Sequence, residues 1–279
     1  MDQHDGRFVT LPAGHRIWVR RGGPTPPVEG ITDVFLHGLG GSSLPFRACT
    51  EVVEAIGAST LLIDLRGHGL SEVPEGGGLS IDDMTDDVLR VLEAEDVAHA
   101  NLIGHCLGGI IAMRAAQLRP ELAASVVLVA SSHRFGRGWR GMQRRLVARS
   151  FDRSLKTFAP RYRLARRVAQ FDSTVFENDA DWYWPRLRQD WAHTSPRTVS
   201  KTIRAMCDAD MSDAAEGLTA RVCVVHGRRD AFIPAIEAWE LARATRAERF
   251  ELLLNEGHAS LLLREGSPLP GIVREFVHG

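Results

Sequence analysis

Apolar residues fall in short runs of strand length, separated by stretches with helical spacing. Residues 34–36, 60–63, 101–103, 125–130, 222–225 and 250–254 are apolar-rich runs flanked by glycine or polar residues. That pattern predicts strands covered on both faces. Residues 8–11 and 16–20 read as an antiparallel pair at one edge. Residues 81–92 read as an amphipathic helix, and 107–118 as a second helix that stops near Pro120. Segments 22–27 and 76–78, rich in glycine and proline, read as loops. Strands alternating with helices predict an α/β class, with a mostly parallel central sheet flanked by helices.

Between Ser131 and Arg221 the alternation fails, and the chain reads as helices without an intervening strand. The expected organisation is therefore a single domain over 1–279. Its core is 1–133 and 196–279, and 134–195 is an inserted helical lid, with a helix at 196–210 returning to the core. A lid excludes water and shapes a pocket. Asp181-Trp182-Tyr183-Trp184-Pro185 and Trp191 either line that pocket or pack the lid on the core.

The run Asn101-Leu-Ile-Gly-His-Cys-Leu-Gly-Gly-Ile110 joins a strand to a helix through Gly104-x-Cys106-x-Gly108. This is the nucleophile-elbow pattern, with cysteine where serine is usual. Glycine is needed on both sides because backbone approaches too closely for a Cβ at such a turn. Asp230 follows the strand at 222–225, and His258 follows the strand at 250–254. Alone, each has a plainer reading, a turn aspartate and a loop histidine. Together, Cys106, Asp230 and His258 run in the order nucleophile, acid, base, each at the carboxyl end of a predicted parallel strand, where open α/β sheets place their sites. Val34-Phe-Leu-His-Gly-Leu-Gly-Gly-Ser42 supplies the loop for an oxyanion hole, with Leu39, or alternatively Gly40, and Leu107 as backbone donors, and Gly38 and Gly40 allowing close approach. A phosphate loop is excluded because the Gly-Lys-Ser/Thr ending is missing.

Four segments carry a family resemblance: His37-Gly-Leu-Gly-Gly41, Asp64-Leu-Arg-Gly-His-Gly-Leu-Ser71, Gly104-His-Cys-Leu-Gly-Gly109, and His226-Gly-Arg-Arg-Asp230 with Gly257-His258. Over nearly its whole length the chain resembles an α/β-hydrolase of the lid-bearing, epoxide-hydrolase-like superfamily. Cys-Leu-Gly-Gly is similar to the elbows of dienelactone hydrolases and polyhydroxyalkanoate synthases. The former lack such a lid, and the latter are much longer, so neither likeness assigns an activity.

Composition changes this picture little. The chain has 279 residues, 44% hydrophobic, enough to bury a full core. The amino terminus has no signal-peptide character, and no apolar run approaches membrane length. Cys49, Cys106, Cys207 and Cys223 show no paired or metal-ligand spacing, which leads us to expect a reducing cytoplasm, no metal and no cofactor.

Charge adds one feature. Residues 134–170 hold twelve basic side chains against one acid, Asp152, in a chain of net charge −1. Val147, Phe151, Leu155 and Phe158 at helical spacing predict an amphipathic helix with a basic outer face carrying Arg145, Arg149 and Arg153. That face is either solvated or meets an anionic partner, with coenzyme A or an acyl carrier protein as candidates. No nucleic-acid-binding motif accompanies it.

The expected chemistry is acyl transfer through an acyl-cysteine. Exchange between a thioester and a cysteine is nearly thermoneutral, whereas attack on an ester is modestly uphill and on an amide steeply so. Thioesters rank first, giving a thioesterase or thioester-dependent acyltransferase. Ester and lactone hydrolysis of the dienelactone type ranks second. A non-catalytic small-molecule receptor is the third reading.

Overall fold

The computed structural model describes residues 6–27, 30–158, 180–181 and 184–279. Eight strands form one sheet. They are β1 (Gly6–Thr10), β2 (Arg16–Gly22), β3 (Ile31–Leu36), β4 (Ser59–Ile63), β5 (His99–His105), β6 (Ala123–Val129), β7 (Arg221–Gly227) and β8 (Arg249–Leu253). Their spatial order is β1-β2-β4-β3-β5-β6-β7-β8. β1 and β2 form the expected antiparallel edge, β2 pairs antiparallel with β4, and every remaining neighbour is parallel.

The helices are α1 (Arg47–Glu54), α2 (Ile81–Ala94), α3 (Leu107–Leu118), α4 (Gly138–Phe158), α5 (Trp184–His193), α6 (Pro196–Asp208), α7 (Ser212–Glu216), α8 (Ala235–Ala244), α9 (Ser260–Leu263) and α10 (Leu269–His278). The α2 start is a capping box, in which Ser80 and Asp83 satisfy each other's backbone amides.

Strand side chains alternate between two apolar layers, as a period of two requires. Val34, Leu36, Leu61, Leu102, Val126 and Val224 lie in one layer, beneath α2 and α3. Phe35, Leu62, Ile103, Val127, Cys223 and Val225 lie in the other, with α10. Both faces of the central strands are therefore covered, which explains their unbroken apolar sequences.

The topology creates the site. After β3 the chain moves to one side through β4, then returns to the other side as β5. Strand order switches direction between β3 and β5, and open α/β sheets bind ligands at the carboxyl ends of such a pair. The loops after β3 and β5 are those predicted to hold the oxyanion donors and the nucleophile.

Among the described residues no strand lies between β6 and β7, as expected. The face of α4 differs from expectation. Val147 is 67% exposed, and Met142 and Leu146 are also exposed, whereas Ala148 is buried. The helix packs on α6 through that small residue, with the Ser200 hydroxyl donating to the Ala148 carbonyl at 2.9 Å. The side chains of Phe151, Leu155, Lys156 and Phe158, and all of Arg161, Arg163, Arg166 and Arg167, lie outside the described residues.

Candidate active site

Cys106 sits between β5 and α3 with φ 52° and ψ −109°. A non-glycine residue at positive φ is strained by about 1–3 kcal/mol, so the surroundings must hold it there. They do so through backbone: its N–H donates to the Val129 carbonyl at 2.9 Å, and its own carbonyl accepts from the Gly109 amide at 3.1 Å and from the Ser131 hydroxyl at 3.1 Å. Gly104 and Gly108 face each other across the turn, where a Cβ on Gly104 would collide with the Gly108–Gly109 peptide. Both glycines of the elbow are thus sterically required.

His258, past β8, lies between the other two side chains. Its Nδ1 is 2.7 Å from Oδ2 of Asp230, and Cys106 lies close enough to act on its charge. Burial disfavours the imidazolium, but negative charge at Cys106 and the bond to Asp230 push its pKa up to about 10. Asp230 is fixed by the amides of Phe232 and Ile233, both donating to Oδ1 at 2.8 Å. Burial opposes its ionisation, yet the His258 hydrogen bond and charge, with those two amides, hold the carboxyl below the usual range. Phe232 packs edge-on to the His258 ring, centroids 5.0 Å apart.

The β3 loop completes the constellation. A Cβ on Gly38 would stand 3.3 Å from Cβ of Cys106 and 2.7 Å from Nδ1 of His105, so glycine is needed for this loop to lie on the elbow. Gly40 has φ 80°, a conformation natural to glycine. Among the described residues, neither the Leu39 nor the Leu107 amide has a backbone or side-chain acceptor, leaving both available to a ligand oxygen.

The Asp64–Ser71 motif buttresses this loop. Asp64 accepts from the Ser43 amide at 2.8 Å and the Leu70 amide at 3.0 Å. Arg66 makes a two-pronged pair with Asp87, at 2.5 and 2.6 Å. His37 bridges the loops: Nδ1–H donates to the Gly38 carbonyl at 2.7 Å, and Nε2 accepts from the Leu65 amide at 2.9 Å. Those bonds require a neutral ring, and burial lowers its pKa to about 4.

Two residues at the site lay outside the sequence reading. His105, the unspecified position of the elbow, is buried, with its ring against His258. Burial and the neighbouring His258 charge push it well below the usual imidazole range. Asp181 reaches the loops of both Asp230 and His258, accepting from the Ala231 and Ala259 amides. Only its sequence neighbourhood, the aromatic cluster 181–185, drew attention. Trp182, Tyr183 and the Trp191 side chain lie outside the described residues, and Trp184 is exposed.

Of the three arginines read as a partner surface, Arg145 is held within the chain. It donates to the carbonyls of Gly136 and Cys207 and pairs with Asp208. The helix turns it towards α6 rather than outward, which removes it from a basic outer face. Arg149 and Arg153 are exposed. Elsewhere, a cavity of about 460 Å³ opens between α2, α3 and α6, lined by Asp82, Arg114 and Asp208 among others, and none of the candidate residues borders it. No cluster of ligands suited to a metal occurs among the described residues, and no described helix is long and apolar enough to cross a membrane.

Comparison with known proteins bears on the fold as a whole. A family model described as the alpha/beta hydrolase fold matches residues 34–265. The pimeloyl-[acyl-carrier protein] methyl ester esterase of Aliivibrio fischeri (strain ATCC 700601 / ES114) is 29% identical over 213 residues, covering 74% of this chain and 78% of the esterase. The enol-lactonase from Burkholderia xenovorans LB400 superposes with a TM-score of 0.76 at 22% identity, over 98% of this chain and 100% of the lactonase. A bromoperoxidase from Bacillus anthracis superposes at 0.78 with 17% identity, over 98% of this chain and 100% of that one. The two structures share the fold while differing in named activity, so the site must carry the functional argument. With the predicted topology observed and the family model spanning the sheet from β3 to past β8, the chain belongs to the α/β-hydrolase fold family.

Proposed function

We propose that this chain is an acyl-group hydrolase that works through a covalent acyl-cysteine at Cys106. The observation that carries this reading is the position of His258, hydrogen-bonded to Asp230 and near enough to Cys106 for each to act on the other's charge. Asp230 fixes the tautomer and supports the imidazolium, while His258 holds the thiol proton. The Cys106 sulfur adds to the substrate carbonyl carbon, and the π electrons move to oxygen. The Leu39 and Leu107 amides donate to that oxyanion, an interaction often worth about 3–4 kcal/mol. Collapse breaks the bond to the leaving alcohol or thiol, which takes the proton from His258. Water, deprotonated by His258, then cleaves the acyl-cysteine and releases the acid.

The substrate class is a thioester or an activated ester or lactone. Exchange chemistry favours thioesters, because bond energies nearly balance when sulfur replaces sulfur. Ester and lactone cleavage has the support of the relatives, one named as an ester esterase and one as an enol-lactonase. The segment between β6 and β7 serves as the lid, consistent with its contacts to the site loops through Asp181 and Thr194. Arg149 and Arg153 on its exposed side suit the phosphates of coenzyme A or an acyl carrier protein, and the acyl-carrier relative makes the latter worth testing.

The test is turnover of p-nitrophenyl acetate and of an S-acetyl thioester by the unaltered chain, Cys106→Ala and Cys106→Ser. The unaltered chain should turn over at least one of them, and Cys106→Ala should lose about 100-fold or more. Cys106→Ser should lose more thioester than ester activity. Retained turnover in Cys106→Ala would remove the acyl-cysteine and return the site to a receptor reading.

A further inference from the structure

We propose that Asp181 is a positioning residue, whose carboxylate ties the loop carrying Asp230 to the loop carrying His258 and thereby sets the geometry of the acid–base pair. This rests on the acyl-cysteine reading above and extends it to a residue far from the three reacting side chains in sequence.

The geometry is specific. The Ala231 amide donates to Oδ2 at 3.1 Å, and the Ala259 amide donates to Oδ1 at 2.8 Å. Ala231 directly follows Asp230, and Ala259 directly follows His258. One carboxylate therefore holds the backbone immediately beyond the acid and immediately beyond the base. Amide bonds to a carboxylate are charge-assisted and short, about twice as strong as neutral ones.

A second feature points the same way. A Cβ on Gly257 would stand 2.9 Å from Oδ1 of Asp181, closer than a side chain tolerates. The residue before His258 thus leaves room for this carboxylate. Nearer the strand ends the two loops also share the Arg229 amide bond to the Glu256 carbonyl, at 2.8 Å. Asp181 joins the same pair of loops one residue beyond Asp230 and one beyond His258.

Asp181 comes from the insert between β6 and β7, not from the sheet framework. It precedes α5, and just past the other end of α5 the Thr194 hydroxyl donates to the Gly40 carbonyl at 3.0 Å. Residues flanking α5 in sequence thus contact the acid and base loops (Asp181) and the oxyanion loop (Thr194).

A misplacement of about 1 Å in a reacting group can cost about 100-fold in rate. Asp181→Ala should therefore lower kcat by about 10- to 100-fold, with KM changed by less than about threefold. Asp181→Asn keeps one oxygen acceptor but turns an NH2 towards the second amide, so its kcat should fall between the two. The distinguishing readout is the His258 imidazole, titrated by nuclear magnetic resonance. It should lose its proton at lower pH in both variants, because the Asp230 bond that supports the imidazolium is loosened.

Cys106→Ala and the thermal midpoint of each variant are measured alongside, with p-nitrophenyl acetate and an S-acetyl thioester as substrates. If Cys106→Ala keeps its turnover, the acyl-cysteine reading fails whatever Asp181 does. If Cys106→Ala is dead while both Asp181 variants turn over within twofold of the unaltered chain, the positioning role fails alone. It also fails if activity falls only in step with thermal stability and the His258 titration does not move. Should Asp181→Ala not fold, the near-isosteric Asp181→Asn decides between these outcomes.

Discussion

His105 Nε2 lies 3.2 Å from the carbonyl oxygen of His258, and the two rings sit 4.6 Å apart between centroids. With its pKa held far down, His105 is neutral, so an Nε2–H donates and anchors the His258 backbone from the nucleophile side. His105→Phe keeps the ring contact and deletes the donor. It should cost about 1 kcal/mol of stability, the net value of one such bond, and lower kcat/KM by about tenfold. Urea unfolding with steady-state kinetics checks both.

Asp230→Asn removes the negative partner of His258 while leaving its shape. Because the bond and charge of Asp230 both raise the His258 pKa, that value should drop from about 10 towards the ordinary imidazole range. kcat should fall about 1,000-fold or more, as tautomer control is lost.

Iodoacetamide should find Cys106 before the other thiols. Cys49 and Cys223 are fully buried, and burial pushes their thiols up to about 12, while Cys207 is also raised by burial. Brief labelling near neutral pH, mapped by mass spectrometry, should place most of the label on Cys106. Labelling spread evenly over the four would count against activation by His258.

Stability should decline on both sides of neutrality, for opposite reasons. His258 is raised in the folded chain, so its contribution is complete below about pH 6.5 and is lost as pH climbs towards about 10. His37 is lowered to about 4, so the unfolded chain takes up a proton that the folded chain refuses. Its effect is full above about pH 6.5 and disappears as pH falls towards 4, on the order of 3 kcal/mol. His37→Gln retains a donor for Gly38 and an acceptor for Leu65, so it should fold and flatten only the acid limb. Urea midpoints measured from pH 4 to 10 test this, and Cys106→Ala should flatten the alkaline limb.

Much of this was readable from the chain. Each predicted strand is present, within a few residues of its expected bounds, and some begin earlier at polar positions such as His99 and Arg221, where ladder bonding continues past the apolar run. Cys106, Asp230 and His258 were recognisable because each sits on a local signature, a glycine turn or a strand end. Asp181 and His105 were not, since their roles depend on partners 78 and 153 residues away, and no periodicity encodes such contacts. Val147 and Arg145 were misplaced for another reason. Apolar spacing marks where a helix can bury surface, but α4 buries Ala148 and directs Arg145 into the carbonyls of Gly136 and Cys207.

β6 and β7 are adjacent and parallel, in register from Ser125↔Arg221 to Val129↔Val225, although α4, α5, α6 and α7 lie between them in sequence. The excursion leaves one edge of the site and returns at the neighbouring strand without disturbing a ladder bond. Closing a longer excursion costs only logarithmically more entropy, about 0.6 kcal/mol per doubling. The ladder between β6 and β7 is thus indifferent to how long the detour is, so residues can be added to or removed from the outer part of this stretch at little entropic cost to the sheet.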